Sequence, residues 1–525
     1  MYDAVVIGGG HNGLVAACYL AKAGKKVLVL ERAEKVGGAA ITEEIHPGFR
    51  VSVASYSMSL MRPEIIQELR LPDYGFSVYA KSPSYFMPFP DGRHLFLYAA
   101  DRERSKVEIA RFSQRDADSY DAWEDFWDRA CDIIEPTLLQ PPITMGQLAQ
   151  RFDDAGCADD FRRVMLLSTA DLLDEFFESE YVKASMAPQS LIGTAGGPMT
   201  PGTPYVWLYH AIGRAIGKRG VWGYVRGGMG AVTAALAAAG RDLGVEIRTS
   251  TPIAEVLVEG GVAAGVVLES GETIRAGAVL SNADPKRTFL KLTPVSALPA
   301  AFRRRIETSY RSSGPVFKMN LALHELPRYE AAPAGFPPEV ISRATVDIAP
   351  TVDYLEWAWD DCKRGLPSRQ PFVEVYSQSP TDPTMAPPGN HVLSCFCQFA
   401  PYAPVDRSWD DGLREEFADR VLDTLAEYAP NIKGAVIARQ LLAPVDLERK
   451  IGLTGGHIFH GEITPDQSFD LRPMAGFADY RTPLPGLYLC GSGAHPGGGV
   501  TGIPGHNAAQ VVLADDLNPP SVDGR

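Results

Sequence analysis

The chain has 525 residues, 45% of them apolar, and a formal net charge of −14. That length supports two or three domains around a sizeable core, and the acidic balance argues against nucleic acid or an anionic membrane as a partner. The seven cysteines show no framework spacing and no Cys-x-x-Cys, so a disulfide reductase would lack its dithiol.

The first stretch carries the strongest signal. Tyr2–Ile7 reads as a buried parallel strand. Gly8-x-Gly10-x-x-Gly13 follows, then an Ala-rich helical run over Leu14–Ala23, then a second apolar strand over Lys26–Leu30 that ends at Glu31. This is the βαβ dinucleotide fingerprint in its required context. Gly8 permits the tight turn, Gly10 the approach of a pyrophosphate, and Gly13 close packing of helix on strand. The helix N-terminus faces the phosphates, and Glu31 can accept both hydroxyls of an adenosine ribose. Starting the first strand at Tyr2 leaves no room for a cleavable leader. No segment is long and apolar enough to span a bilayer. The expected location is the cytoplasm, with peripheral membrane contact left open.

Further along, Phe76–Phe89 and His94–Tyr98 read as short strands around an Asp91-Gly92 turn. Asp116–Ile133, Asp159–Glu178 and Thr203–Gly217 have helical spacing and suggest a cap. His210, among aromatic neighbours, reads as a structural residue. Gly227–Gly230 opens an alanine-rich helix, and Ile253–Val258 with Val262–Leu268 form a hairpin. Pro315–Leu323, Phe372–Gln378 and His391–Phe399 suggest a mixed or antiparallel sheet, with Cys395 and Cys397 as ordinary core residues. The aromatic cluster Tyr354, Trp357 and Trp359 suits a core more than a cavity wall. Leu413–Tyr428 is an amphipathic helix with an acidic face. The last segment runs through the strand Leu487–Cys490, then Gly491-Ser492-Gly493 and His495–Gly502, into a helix past Asn507. Only one dinucleotide fingerprint is complete, so no separate NAD(P) domain is expected.

Glu31, Arg32, the doublet Gly37-Gly38, Ala39 and Thr42, with the glycine-rich C-terminal turn, resemble the phytoene desaturase-like FAD-dependent oxidoreductases of the amine oxidase superfamily. That family includes the group called pyridine nucleotide-disulfide oxidoreductase domain-containing protein 2. The resemblance covers almost the whole chain and is closest over Asp3–Thr42, Arg226–Pro285 and Gly455–Ala509. It implies an α/β fold: a discontinuous Rossmann-like FAD-binding domain with a mixed-sheet substrate domain and a helical cap. The implied FAD-binding segments are residues 1–75, 223–292 and 455–525, and the implied substrate segments are 76–222 and 293–454. It implies FAD contacts from Gly8, Gly10, Gly13, Glu31, Arg32, Gly37, Gly38, Ala39 and Thr42. A backbone position at Ile253 would meet the adenine, and Gly499 and Val500 the pyrimidine edge of the flavin. Gly491 precedes Ser492, which stands where many relatives carry Asp, leaving that polar contact undefined. Tyr56 and Ser57 fall in a stretch expected under the flavin ring.

The implied reaction is hydride loss from an extended apolar substrate to the flavin, giving desaturation or isomerisation, with oxygen, a quinone or another acceptor taking the electrons. No protein-bound metal is needed. His495 is the candidate catalytic residue, for polar positioning or proton transfer, unless it braces its turn. His457, Glu462 and His506 are weaker candidates. Two other readings stay open: an amine or small-molecule oxidase on the same flavin fold, and a non-catalytic isoprenoid- or lipid-binding protein.

Overall fold

The computed structural model describes residues 1–517, so residues 518–525 of the expected final segment lie outside the described part. Two seven-stranded sheets organise it.

In the first sheet, β1 (Tyr2–Ile7) sits at the centre. β2 (Val27–Leu30) pairs parallel with it on one side, and the strand Thr273–Ser281 pairs parallel with it on the other. Glu246–Arg248 and Leu487–Leu489 extend the parallel core outward. The hairpin Ile253–Leu268 continues antiparallel from the first half of Thr273–Ser281. β1 and β2 are apolar in succession, not in alternation, because helices cover the sheet. The helix α1 (His11–Lys22), rich in small residues, packs there with the helices Gly230–Asp242 and Ile503–Leu517.

The second sheet runs in the order Val436–Leu442, Val316–Leu323, His391–Gln398, Phe372–Tyr376, Thr345–Ile348, Tyr85–Pro88, His94–Leu97. Its pairings are antiparallel except that between Thr345–Ile348 and Tyr85–Pro88. One face is apolar. Phe317, Met319, Val373, Val375, Cys395 and Cys397 share a core with Leu413, Phe417, Val421 and Leu425 of the helix Asp411–Ala426. That helix spends its apolar stripe on the sheet. The opposite face turns toward the cap.

The cap is built from short helices. Gln114–Ile134 is its longest; the Ser113 hydroxyl caps it by accepting from the Asp116 N–H. Tyr120, Trp123, Trp127 and Ile134 make its buried stripe. The single helix expected over Asp159–Glu178 is two, Ala158–Met165 and Thr169–Phe176. Ser168 starts the second by accepting from the Asp171 N–H, a capping signal that outweighs the continuing apolar period. The strand expected over Phe76–Phe89 also divides. Val78–Ala80 pairs with Gly223–Val225, and Tyr85–Pro88 joins the large sheet. Tyr354, Trp357 and Trp359 lie on the helix Val352–Lys363: Trp359 meets Phe399, while Trp357 is exposed. Among the described residues no helix is long and apolar enough to cross a membrane.

Candidate functional site

A cleft with about 1850 Å³ of space clear of protein atoms, solvent mouth included, runs from the glycine-rich turn after β1 to the cap-facing side of the second sheet.

At the first end, Gly8 holds φ +94° and makes the turn from β1 into α1. A Cβ on Gly13 would lie 2.3 Å from the Gly8 carbonyl oxygen, so only glycine lets the helix seat against the strand end. The doublet docks beside this turn: the Gly37 N–H donates to the Gly9 carbonyl at 2.9 Å. Glu31 stands at the end of β2, buried, and accepts from the N–H groups of Gly9 and Ala33, both at 2.8 Å. A carboxylate has about four lone-pair sites. Two backbone bonds therefore fix its orientation and leave acceptor capacity toward the cleft.

Gly8, Gly10, Glu31, Arg32, Gly38, Ala39, Ile253, Ser492, Gly499 and Val500 all line this cleft. Segments hundreds of residues apart in the sequence thus meet around one space. Gly13, Gly37, Thr42 and Gly491 are not among the residues that line it. Thr42 accepts from the Gly230 N–H at 2.9 Å and ties the doublet loop to the next helix. A Cβ on Gly491 would meet the Asn282 carbonyl at 2.6 Å. Ser492 accepts from Asn12 Nδ2 at 3.1 Å, so its hydroxyl is held by α1. Val500 holds φ +60°, a strained conformation for a β-branched residue, and this strain sits on the cleft wall.

His495 does not line the cleft. Its ring is fully buried 5.7 Å from that of Phe469, and its carbonyl accepts from the Tyr480 hydroxyl at 3.1 Å. Burial, then the Arg472 charge, pulls its pKa down to about 3. Its ring stands off this wall, and the catalytic role stays an expectation. His457 and Glu462 are likewise off the cleft and bond to each other at 2.9 Å. Thr194 donates to the same carboxylate at 2.9 Å, which joins the last segment to the cap.

Several wall residues escaped the sequence reading. His11 is the first unspecified residue after Gly10 and lines the cleft beside His460. Burial, then their mutual repulsion, lowers His11 to about 3; burial lowers His460 to about 4. Arg287 lines the same end as Arg32, whose pKa burial and then Arg287 lower. His210, read as structural, is on the wall; its Nδ1 bonds to the Val206 carbonyl at 2.9 Å. Arg472 is fully buried and donates to the carbonyls of Phe459, Glu462 and Ser492 at 2.6, 2.5 and 2.7 Å. That guanidinium ties together the C-terminal turns that bear Phe459, His460 and Ser492 on the wall. A lone Arg in Leu471-Arg472-Pro473 gives no pattern to read. At the second end the wall passes through Tyr56, Leu60, Ile192, Trp222 and Phe459 to Lys81 and Glu374 on the sheet side. Among the described residues no group of His, Cys, Asp or Glu is arranged to hold a metal ion.

A glycine turn at a helix N-terminus, a ribose-ready acid and a second arginine-bearing wall fit FAD. Glu31 would hold the adenosine ribose, with the backbone around Gly10 and Gly38 against the pyrophosphate. The fold and this crevice define an FAD-binding oxidoreductase.

The chain belongs to the flavin containing amine oxidoreductase family, whose model matches residues 13–513. It is 41% identical to rat (Rattus norvegicus) "Pyridine nucleotide-disulfide oxidoreductase domain-containing protein 2", covering 98% of this chain and 94% of the relative. A phytoene desaturase (lycopene-forming) of Paracoccus sp. is 25% identical over 98% of this chain and 97% of its own length. Among solved structures, cyclohexylamine oxidase from Brevibacterium oxydans superposes with TM-score 0.61 at 18% identity, covering 98% of this chain and 100% of that one. The protein is an FAD-dependent oxidoreductase.

Proposed function

We propose that this enzyme acts on an extended, largely apolar small molecule by hydride transfer to flavin, desaturating it when the hydride is passed on to an acceptor or isomerising it when the hydride is returned. One observation carries the reading. The cleft that holds the dinucleotide features continues without a break into a wall of Leu60, Ile192, Trp222, Phe396 and Phe459. Burying an aliphatic body there contributes about 0.8 kcal/mol per CH₂. Bound FAD supplies the hydride acceptor for a C–H bond of the substrate. The chain's own part is to hold the substrate in register, exclude water and keep the nearby histidines neutral. Oxygen, a quinone or another carrier then takes the electrons. Likeness over nearly full length to a phytoene desaturase supports carbon–carbon over carbon–nitrogen oxidation.

Amine oxidation is the second reading. Glu374 favours it, as a buried acid on the cleft wall that could receive a cationic substrate. Anaerobic mixing of the FAD-loaded protein with isoprenoid alkenes and with aliphatic amines of matched length separates the two. Flavin bleaching by the alkenes is expected; bleaching by the amines alone would overturn the first reading.

A further inference from the structure

The second sheet turns an unexpected face toward the cleft. Asp347, Glu374, Phe396 and Lys318 form one cross-strand row, each buried, on the side opposite the apolar core. Burying such groups is costly unless they are bonded. Part of the face is bonded. Tyr56 donates to Glu374 at 3.3 Å, and Lys318 donates to Ser394, whose hydroxyl donates to Asn320.

The end beside the row is left with donors to spare. Lys81 lines the cleft and is 6% exposed. Its Nζ donates to Thr345 Oγ1 at 2.8 Å and lies 4.4 Å from the Tyr376 ring centre and 5.1 Å from that of Tyr224. Among the described residues no carboxylate pairs with it directly; burial lowers its pKa to about 7 against the pull of Glu374 and Asp347, and in either protonation state it has an N–H beyond the one given to Thr345. Gln189 lines the same cleft. Tyr85, whose backbone pairs with Thr345, donates to Gln189 Oε1 at 3.1 Å, which leaves the amide Nε2 as a donor. That Nε2 is buried with no partner. Asp347, on the strand of Thr345, has two unpartnered carboxyl oxygens but does not line the cleft.

We propose that the substrate ends in an acceptor oxygen, a carbonyl or a carboxylate, that takes the unused N–H groups of Lys81 and Gln189. Its apolar body then lies along the Ile192 and Phe459 wall. This rests on the proposed oxidation of an apolar molecule and narrows its substrate to an amphipathic one. A pure hydrocarbon leaves both donors unmet, at the expense that any buried unpaired polar group carries.

The test is equilibrium binding to the FAD-loaded protein, read by calorimetry and by perturbation of the oxidised flavin spectrum, with no turnover needed. The probes are 2-decanone, decanoate, 1-decene and decylamine. The ketone or the acid should bind about tenfold or more tightly than the alkene and the amine, because a site built to bond oxygen rejects ligands lacking it. Which of the two binds better identifies the oxygen group. Lys81→Met and Gln189→Leu should each reduce that preference with FAD content unchanged, and Lys81→Arg should retain most of it. An alkene or amine that binds as well as both oxygen-ended probes overturns the proposal, as does full preference in Lys81→Met. If Lys81→Met does not fold, the wild-type ranking and Gln189→Leu still decide. Failure of every apolar compound to reduce the flavin would instead overturn the functional reading, since binding is measured apart from reduction.

Discussion

Glu31 is the residue whose chemistry is most completely determined. Two backbone N–H groups orient its carboxylate, and the rest of its acceptor capacity faces the cleft. Glu31→Ala should weaken FAD binding by roughly 1–3 kcal/mol, about fivefold to 150-fold, in a protein that stays folded. Flavin titration checks this; unchanged affinity would remove the ribose assignment. His495 should behave in the opposite way. His495→Ala opens space beside Phe469 and should cost about 2–4 kcal/mol of stability, seen as a lower unfolding midpoint. Its flavin reduction rate, per bound FAD, should stay near wild type. A large rate loss at full FAD occupancy would return His495 to the chemistry. Glu31 was legible in the sequence because a strand end and a glycine motif fix its place. The place of the His495 ring is not legible in the same way, because proximity in the chain to Gly499 says nothing about which side of the turn the ring takes.

At the scale of elements, the turns before and after Arg472 depend on a single buried fork. Its guanidinium bonds to carbonyls on either side of the Arg472 position, in Phe459–Glu462 and at Ser492. Arg472→Met leaves several buried carbonyls unpaired, each at about 1–3 kcal/mol, and should lower both thermal stability and FAD retention. Arg472→Lys should recover only part, because an ammonium lacks the planar fork. Equal FAD retention in wild type and Arg472→Met would contradict this role. Elements with strong local patterns were readable: β1, α1 and β2, the hairpin Ile253–Leu268, and the helix packed behind the second sheet. The cap helices were placed less well where a Ser cap interrupts an apolar period, as at Ser168. The polar row of Asp347, Glu374 and Lys318 could not be seen at all. It exists only through the register of strands far apart in the chain.

At the scale of the whole molecule, burial of neutral histidines ties stability to pH. Burial lowers His11 and His495 to about 3 and His210 and His460 to about 4. The unfolded chain takes these protons below its ordinary histidine value of about 6.5, whereas the folded chain does not. Stability is therefore retained at neutral pH and lost as pH falls from about 6.5 toward 4, by about 2 kcal/mol per histidine at pH 5. Burial raises Asp347 and Glu374, which act in the opposite sense and offset part of the loss. The unfolding midpoint should fall between pH 7 and pH 5; a midpoint that rises would contradict the burial of these imidazoles in neutral form. The proposal that one cleft serves both flavin and substrate is tested most directly by electron density from crystals of the FAD-loaded protein soaked with an isoprenoid ketone. The expected map shows the adenosine ribose within hydrogen-bond distance of Glu31, and the ketone between the flavin and the wall of Ile192, Phe396 and Phe459. A flavin bound away from Glu31, or a ketone bound outside this cleft, would contradict it.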